Sequence, residues 1–158
     1  MNVVAPAPAA IEAADTAADR GPVTRFAKGV GVLVLGLGVL GLVPGLVTDY
    51  ASLGFFHSEA RLFGIFTTSV TASSLQILFG LTVLAFSGST KQAHKAVVWV
   101  ALAYLAAGLG GAGLDVNAAR PDVPVNPAVN WLHLVLFVVI LVGASASRRK
   151  QIAQHGVF

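Results

Sequence analysis

Asn126, Asn130 and His133 stand at positions 0, 4 and 7 of an otherwise apolar run, NPAVNWLHLVLFVVILVG. On a helix that spacing covers roughly 60° of azimuth, so the three share one face. A carboxamide and an imidazole each donate and accept hydrogen bonds, which suits them to bridge helices or to hold a small molecule. His133 falls about 8 Å inside such a helix by rise per residue. A polar ring at that depth must meet water, a partner helix or a ligand. An interhelical hydrogen bond to Gln76 or Asn130, a small-molecule or lipid-headgroup site, and a metal, haem or proton relay are the alternatives. Asn126 has a structural role open to it. Asn before Pro127 is the arrangement of a helix start, with Asn capping free N–H groups and Pro in the first turn.

Other chemistry is thinly supplied. There are four histidines and no cysteine. Without thiols there is no disulfide, thiol nucleophile or thiolate metal site. Of the histidines, only His57 and His133 could form an axial haem pair. His57, Glu59 and His133 could be gathered by zinc, although their spacing matches no zinc signature. The acids Asp49, Glu59, Asp115 and Asp122 lie in loops, where solvation is their ordinary role. No Asp, Glu, Lys or Arg sits mid-way along an apolar stretch, as ion-coupled transport would require. The expectation is a non-enzyme with no cofactor and no bound metal.

The elements that must position these residues follow from composition. The 158 residues are 56% hydrophobic and 11% charged, against about 25% charged in a soluble domain. Four apolar stretches, at about 26–47, 68–86, 96–114 and 128–146, are near the ~20 residues that cross a bilayer as a helix. Residues 1–22 lack a basic segment followed by an apolar one, so they read as a disordered tail rather than a signal peptide. The transmembrane domain then occupies 23–150, with a short tail at 151–158.

The basic residues orient it. Arg20, Arg25, Lys28, Lys91, Lys95, Arg148, Arg149 and Lys150 fall on one side of the membrane, and Arg61 and Arg120 on the other. Cytoplasmic loops are enriched in Lys and Arg, so both termini are expected inside the cell membrane. The net charge of +3 comes from these short clusters, which touch lipid rather than nucleic acid.

Small residues mark expected helix contacts: Gly31, Gly38 and Gly45 at seven-residue spacing, with Gly41, and Ala103, Ala107 and Gly111 at four-residue spacing. Lipid offers little hydrophobic drive between helices, so close backbone approach must supply the attraction. Val34 is expected on the lipid-facing side. The loop TDYASLGFFHSEARLFGIF carries Tyr50, Phe55, Phe56, Phe63 and Phe66. It reads either as a segment lying in the membrane interface or as a plug over the outer mouth of the bundle.

Shifted by 57 residues (126 minus 69), SVTASSLQILFGL overlays NPAVNWLHLVLFV. Ser69 falls on Asn126, Ser73 on Asn130 and Gln76 on His133. The chain thus reads as two tandem helical hairpins, with Ser73, Gln76, Asn130 and His133 facing one another near the outer surface.

The segments LFGIF…SSLQILFGL and VNPAVNWLHLVL resemble a family of small four-helix membrane proteins common in actinobacteria, catalogued as a domain of unknown function. That family's pattern has Asn-x-x-x-Asn-x-x-His at a helix start in both halves. Here the second half keeps it at Asn126, Asn130 and His133, while the first half has Ser69, Ser73 and Gln76. The resemblance covers about residues 26–146 and implies a fold without an activity. The expected fold is an all-α, four-helix transmembrane bundle. The expected function is a structural or accessory subunit that meets a membrane-protein partner or its own copy through Gly/Ala faces. The alternative is a small-molecule or lipid binding or transport protein with an outward polar vestibule, and the third reading is a metal- or haem-dependent membrane enzyme.

Overall fold

The computed structural model describes residues 21–116 and 126–156; at 114–116 it describes the backbone alone. Four helices, all long and apolar enough to cross a membrane, make the chain a multi-pass membrane protein of the all-α class. They are α1 (Pro22–Leu40), α2 (Val70–Ala85), α3 (Thr90–Val116) and α4 (Pro127–His155). Three two-residue strands lie between α1 and α2: β1 (Val47–Thr48), β2 (Arg61–Leu62) and β3 (Phe66–Thr67).

The helix ends depart from the apolar stretches for local reasons. Helix α1 begins at Pro22, where a first-turn proline loses no hydrogen bond, and Thr24 Oγ1 donates to Gly21 O at 3.0 Å. It stops at Leu40, short of the expected residue 47. Pro44 lacks an N–H and constrains Val43 before it; Gly45 then takes φ +90° and turns the chain into β1. Helix α4 runs on to His155, beyond the expected basic stop and into the expected tail. It ends where Gly156 adopts the left-handed conformation at φ 68°, a common helix terminator. Helix α3 begins at Thr90, so Lys91 and Lys95 are helical rather than in a loop. The expected N-terminal tail falls almost wholly, and the loop holding Arg120 and Asp122 partly, outside the described residues.

Packing is strongest within two sequential hairpins, α1 with α2 and α3 with α4. Helix α1 also touches α3 and α4, whereas α2 makes little contact with α3 beyond the tight turn at Phe86–Gly88 that joins them. The α1–α2 crossing is built on glycine. A Cβ on Gly38 would lie 2.7 Å from both Ile77 N and Ser73 O. One on Gly31 would strike Leu84, and one on Gly80 would strike the backbone of Leu35. Gly41 is likewise closed, against Ser73 Oγ and Thr68 Oγ1. Gly45 packs against nothing within 4 Å and serves the turn instead. On α3 the contact residues are Gly108, against Leu134, and Gly111, against Asn130. Ala107 is exposed rather than in a helix contact.

Val34 is 0% exposed and sits in the core with Val30, Val83, Val97 and Ile140. This overturns its lipid-facing assignment. It lies four residues from Val30, on the stripe that α1 turns toward three other helices. The two chain ends of the bundle meet, since the start of α1 at Gly21 abuts the Gln151 side chain near the end of α4.

At the opposite end the aromatic loop folds as a small cap. Strand β2 pairs antiparallel with β1 and β3 (Val47 with Leu62, Leu62 with Phe66). Val47, Ala60 and Leu62 form a satellite core with Leu40, Leu53 and Phe66 around them. Phe55, Phe56, Phe63 and Ile65 remain exposed. The cap covers one end of the bundle and leaves aromatic side chains on its surface.

Candidate functional site

Two helices start beneath the cap with matched geometry. Ser69, at φ −144° and ψ 166°, caps α2 by accepting from Ala72 N at 3.1 Å. Asn126, at φ −141° and ψ 161°, caps α4 by accepting from Val129 N at 2.8 Å. The Asn126 carboxamide has a second use. Its Nδ2 donates to Ile65 O at 2.8 Å, tying α4 to the cap.

Between the hairpins, below the cap, is a cavity of about 440 Å³. That is within the range of ~300–1,000 Å³ in which small ligands are held. Helix α2 contributes Thr71, Leu75, Gln76 and Phe79, and helix α3 contributes Ala103, Tyr104, Ala107 and Gly110. Helix α4 contributes Val129, Asn130 and His133, while Phe56, Leu62 and Phe66 close the cap side. The wall is predominantly apolar.

Three of its polar residues are clustered and unpaired. Asn130 is 4% exposed and Tyr104 3%. Both carboxamide atoms of Asn130, the Tyr104 hydroxyl and Nδ1 of His133 are buried with no hydrogen-bond partner among the described residues. The rings of Tyr104 and His133 pack together, centroids 5.4 Å apart and tilted by 40°. A buried polar group left unpaired costs about 1–3 kcal/mol. Four such atoms lie in residues that line the cavity, each with less than 1 Å² open to it, so a ligand reaches them after a small side-chain shift; groups of this kind in native proteins call for an explanation.

Three of the four expected site residues, Gln76, Asn130 and His133, line this cavity. The expected bridge from His133 to Gln76 or Asn130 is not formed; His133 meets Tyr104 of α3 instead. Ser73 is not in the cavity. It is 0% exposed, bonds Thr68 Oγ1 at 3.0 Å through its own hydroxyl, and closes on Gly41 of α1. Its place in the overlay is that of Asn130, but the glycine crossing rotates it toward α1. Asn126 is the cap it was expected to be and lies at the rim. Tyr104 is the residue that sequence reasoning missed as a site member. Its signal was a phenol deep in an apolar helix, since a buried tyrosine hydroxyl ordinarily has a partner. Among the described residues no three His, Asp or Glu side chains converge to hold a metal ion, so His57, Glu59 and His133 form no such group.

A family model described as a domain of unknown function matches residues 24–146. No curated protein and no solved structure matches the chain.

Proposed function

The chain belongs to the DUF4383 family, a domain of unknown function that prescribes no activity, and on the geometry of its cavity we propose that it is a non-catalytic, membrane-embedded binding protein. The observation that carries this reading is the unpaired cluster of Tyr104, Asn130 and His133 on the wall of an apolar cavity of about 440 Å³. A bound molecule offering oxygen or nitrogen atoms there would satisfy groups that the fold itself leaves costly.

The accessory-subunit reading rested on glycine and alanine faces. Gly31, Gly38, Gly80, Gly108 and Gly111 are all taken up in crossings within the chain. Those faces are thus accounted for without a partner, and the balance moves to ligand binding. Among the described residues the cavity wall carries no carboxylate and no cationic Lys or Arg, which favours binding over hydrolytic chemistry in this reading.

The cap end is the outward-facing end in this reading, with both chain ends on the cytoplasmic side of the cell membrane. Support comes from Arg25, Lys28, Lys91, Lys95 and the Arg148–Lys150 cluster, all belonging to the opposite end. The two hairpins are read as tandem copies, supported by the matched backbone angles of the caps Ser69 and Asn126.

Purification in a mild detergent followed by native mass spectrometry tests the binding function. The expected result is a co-purifying small molecule that is lost from Ala107→Phe, which fills the cavity from α3, while the unfolding temperature stays near that of the parent. A parent protein that carries nothing, or a filled variant that carries as much as the parent, would overturn it.

A further inference from the structure

The cavity also has a direction and a charge preference. Among the described residues, its exposed lining residues are Phe56 on the cap, Ala72 and Leu75 on α2, and Ala106, Ala107 and Gly110 on α3. None is on α1 or α4. The mouth is therefore the seam between α2 and α3, where the two helices scarcely touch beyond their connecting turn. The seam lies along segments long and apolar enough to be within the bilayer. Alanine and glycine on the α3 side give it width, and Leu75 on the α2 side keeps it apolar. Phe56, Leu62 and Phe66 cover the route from the cap end. A ligand thus arrives sideways, from the hydrocarbon, and must be soluble there.

Among the described residues, no Asp, Glu, Lys or Arg lines the cavity. An ionised headgroup brought against Tyr104, Asn130 and His133 would lose its hydration without gaining a counter-charge, at a cost of several kcal/mol per ion. A hydroxyl or carbonyl has no such penalty. The phenol, the carboxamide and the imidazole each offer what those groups need, a donor or an acceptor. We propose that the cavity takes an uncharged lipid through the α2–α3 seam, its hydroxyl or carbonyl oxygen on the Tyr104–Asn130–His133 cluster and its chain lying between Leu75 and Ala107. This rests on the binding function above and specifies its ligand class. Glycerides and isoprenoid quinones share the chemistry.

Delipidated full-length protein in a non-ionic detergent is offered, separately, a diacylglycerol, an isoprenoid quinone and a phosphatidic acid with the acyl chains of the diacylglycerol. Retention is read by native mass spectrometry. The diacylglycerol or the quinone is expected to be retained, and which of them is retained assigns the source of the oxygen. The phosphatidic acid is expected to be lost. Tyr104→Phe should weaken retention about five-fold, the effect of one neutral hydrogen bond, with the fold intact. Thr71→Lys places a cation on the cavity wall and should admit phosphatidic acid. Retention of phosphatidic acid equal to that of the diacylglycerol in the parent overturns the uncharged class while leaving a binding protein in place. Failure to retain any of the three removes the uncharged-lipid class, while a small molecule that co-purifies with the parent keeps the binding function in place. Unchanged retention in Tyr104→Phe removes the polar cluster from the site.

Discussion

Asn126 does two jobs with one side chain, and the two are separable. Its Oδ1 caps α4 and its Nδ2 holds the cap at Ile65 O. Asn126→Ala loses both, and the helix cap alone is worth about 1 kcal/mol. Asn126→Asp keeps the acceptor and loses the donor, so thermal unfolding should place it between the parent and Ala. An Asp variant as unstable as Ala would show the tie to Ile65, rather than the cap, to be what matters. Tyr104 makes the opposite kind of prediction. Its hydroxyl has no partner among the described residues, so Tyr104→Phe in delipidated protein should leave stability unchanged or raise it by up to about 1–3 kcal/mol. A clear loss of stability in the same measurement would reveal a bond within the fold. Gain of stability with loss of ligand is the signature of a binding residue, where strain is tolerated for function.

Among the elements, α1 and α2 depend on the absence of side chains. Gly38→Leu should destabilise the bundle by ~1–3 kcal/mol, because the added atoms meet the backbone of α2 and cannot be accommodated by a rotamer change. Gly36 is the control, for a Cβ there meets nothing within 4 Å. Gly36→Ala should be neutral or stabilising by up to about 1 kcal/mol through helix propensity. Equal unfolding temperatures for the two variants in detergent would remove the glycine crossing as a source of stability. The sequence made some of this legible. Gly31 and Gly38 stood at a spacing that returns to one face every two turns, and both are buried. Gly45 continued the spacing but lay beyond Pro44, which ends the helix first. Periodicity pointed to Ala107, four residues from both Ala103 and Gly111, whereas Gly108, about 100° further round the helix, is the residue that meets Leu134. Which one faces α4 depends on tertiary packing.

For the molecule as a whole, the even number of spans puts Gly21 and Gln151 at one end. Reporter fusions at residue 158 and within 115–125 should report opposite sides, with the C-terminal reporter cytoplasmic. A periplasmic C-terminal reporter would reverse the orientation. Four spans were readable because twenty apolar residues in succession have few other uses. The cap was less readable. Strands of two residues give no alternation to recognise, and Val47, Ala60 and Leu62 become a core only once the loop has closed on itself. The site was half readable. Gln76, Asn130 and His133 were visible as polar residues in apolar helices. Tyr104 was not singled out, because the contact that recruits it spans α3 and α4.

The contact between Gly21 and Gln151 also bears on how the protein is made. Helix α4 has 29 residues, about 43 Å of helix, so some of its length must extend past a ~30 Å hydrocarbon core. Gln151 lies on that extension, wholly buried, against the first turn of the first helix. On the ribosome α1 emerges first of the four helices and α4 last. The first hairpin can pair as soon as α2 has left the insertion machinery, but the flank of α1 that awaits α4 stays uncovered until translation is almost finished. For that interval Phe26, which in the finished bundle lies against Gly143 of α4, stays uncovered, and arrival of the last helix ends its exposure.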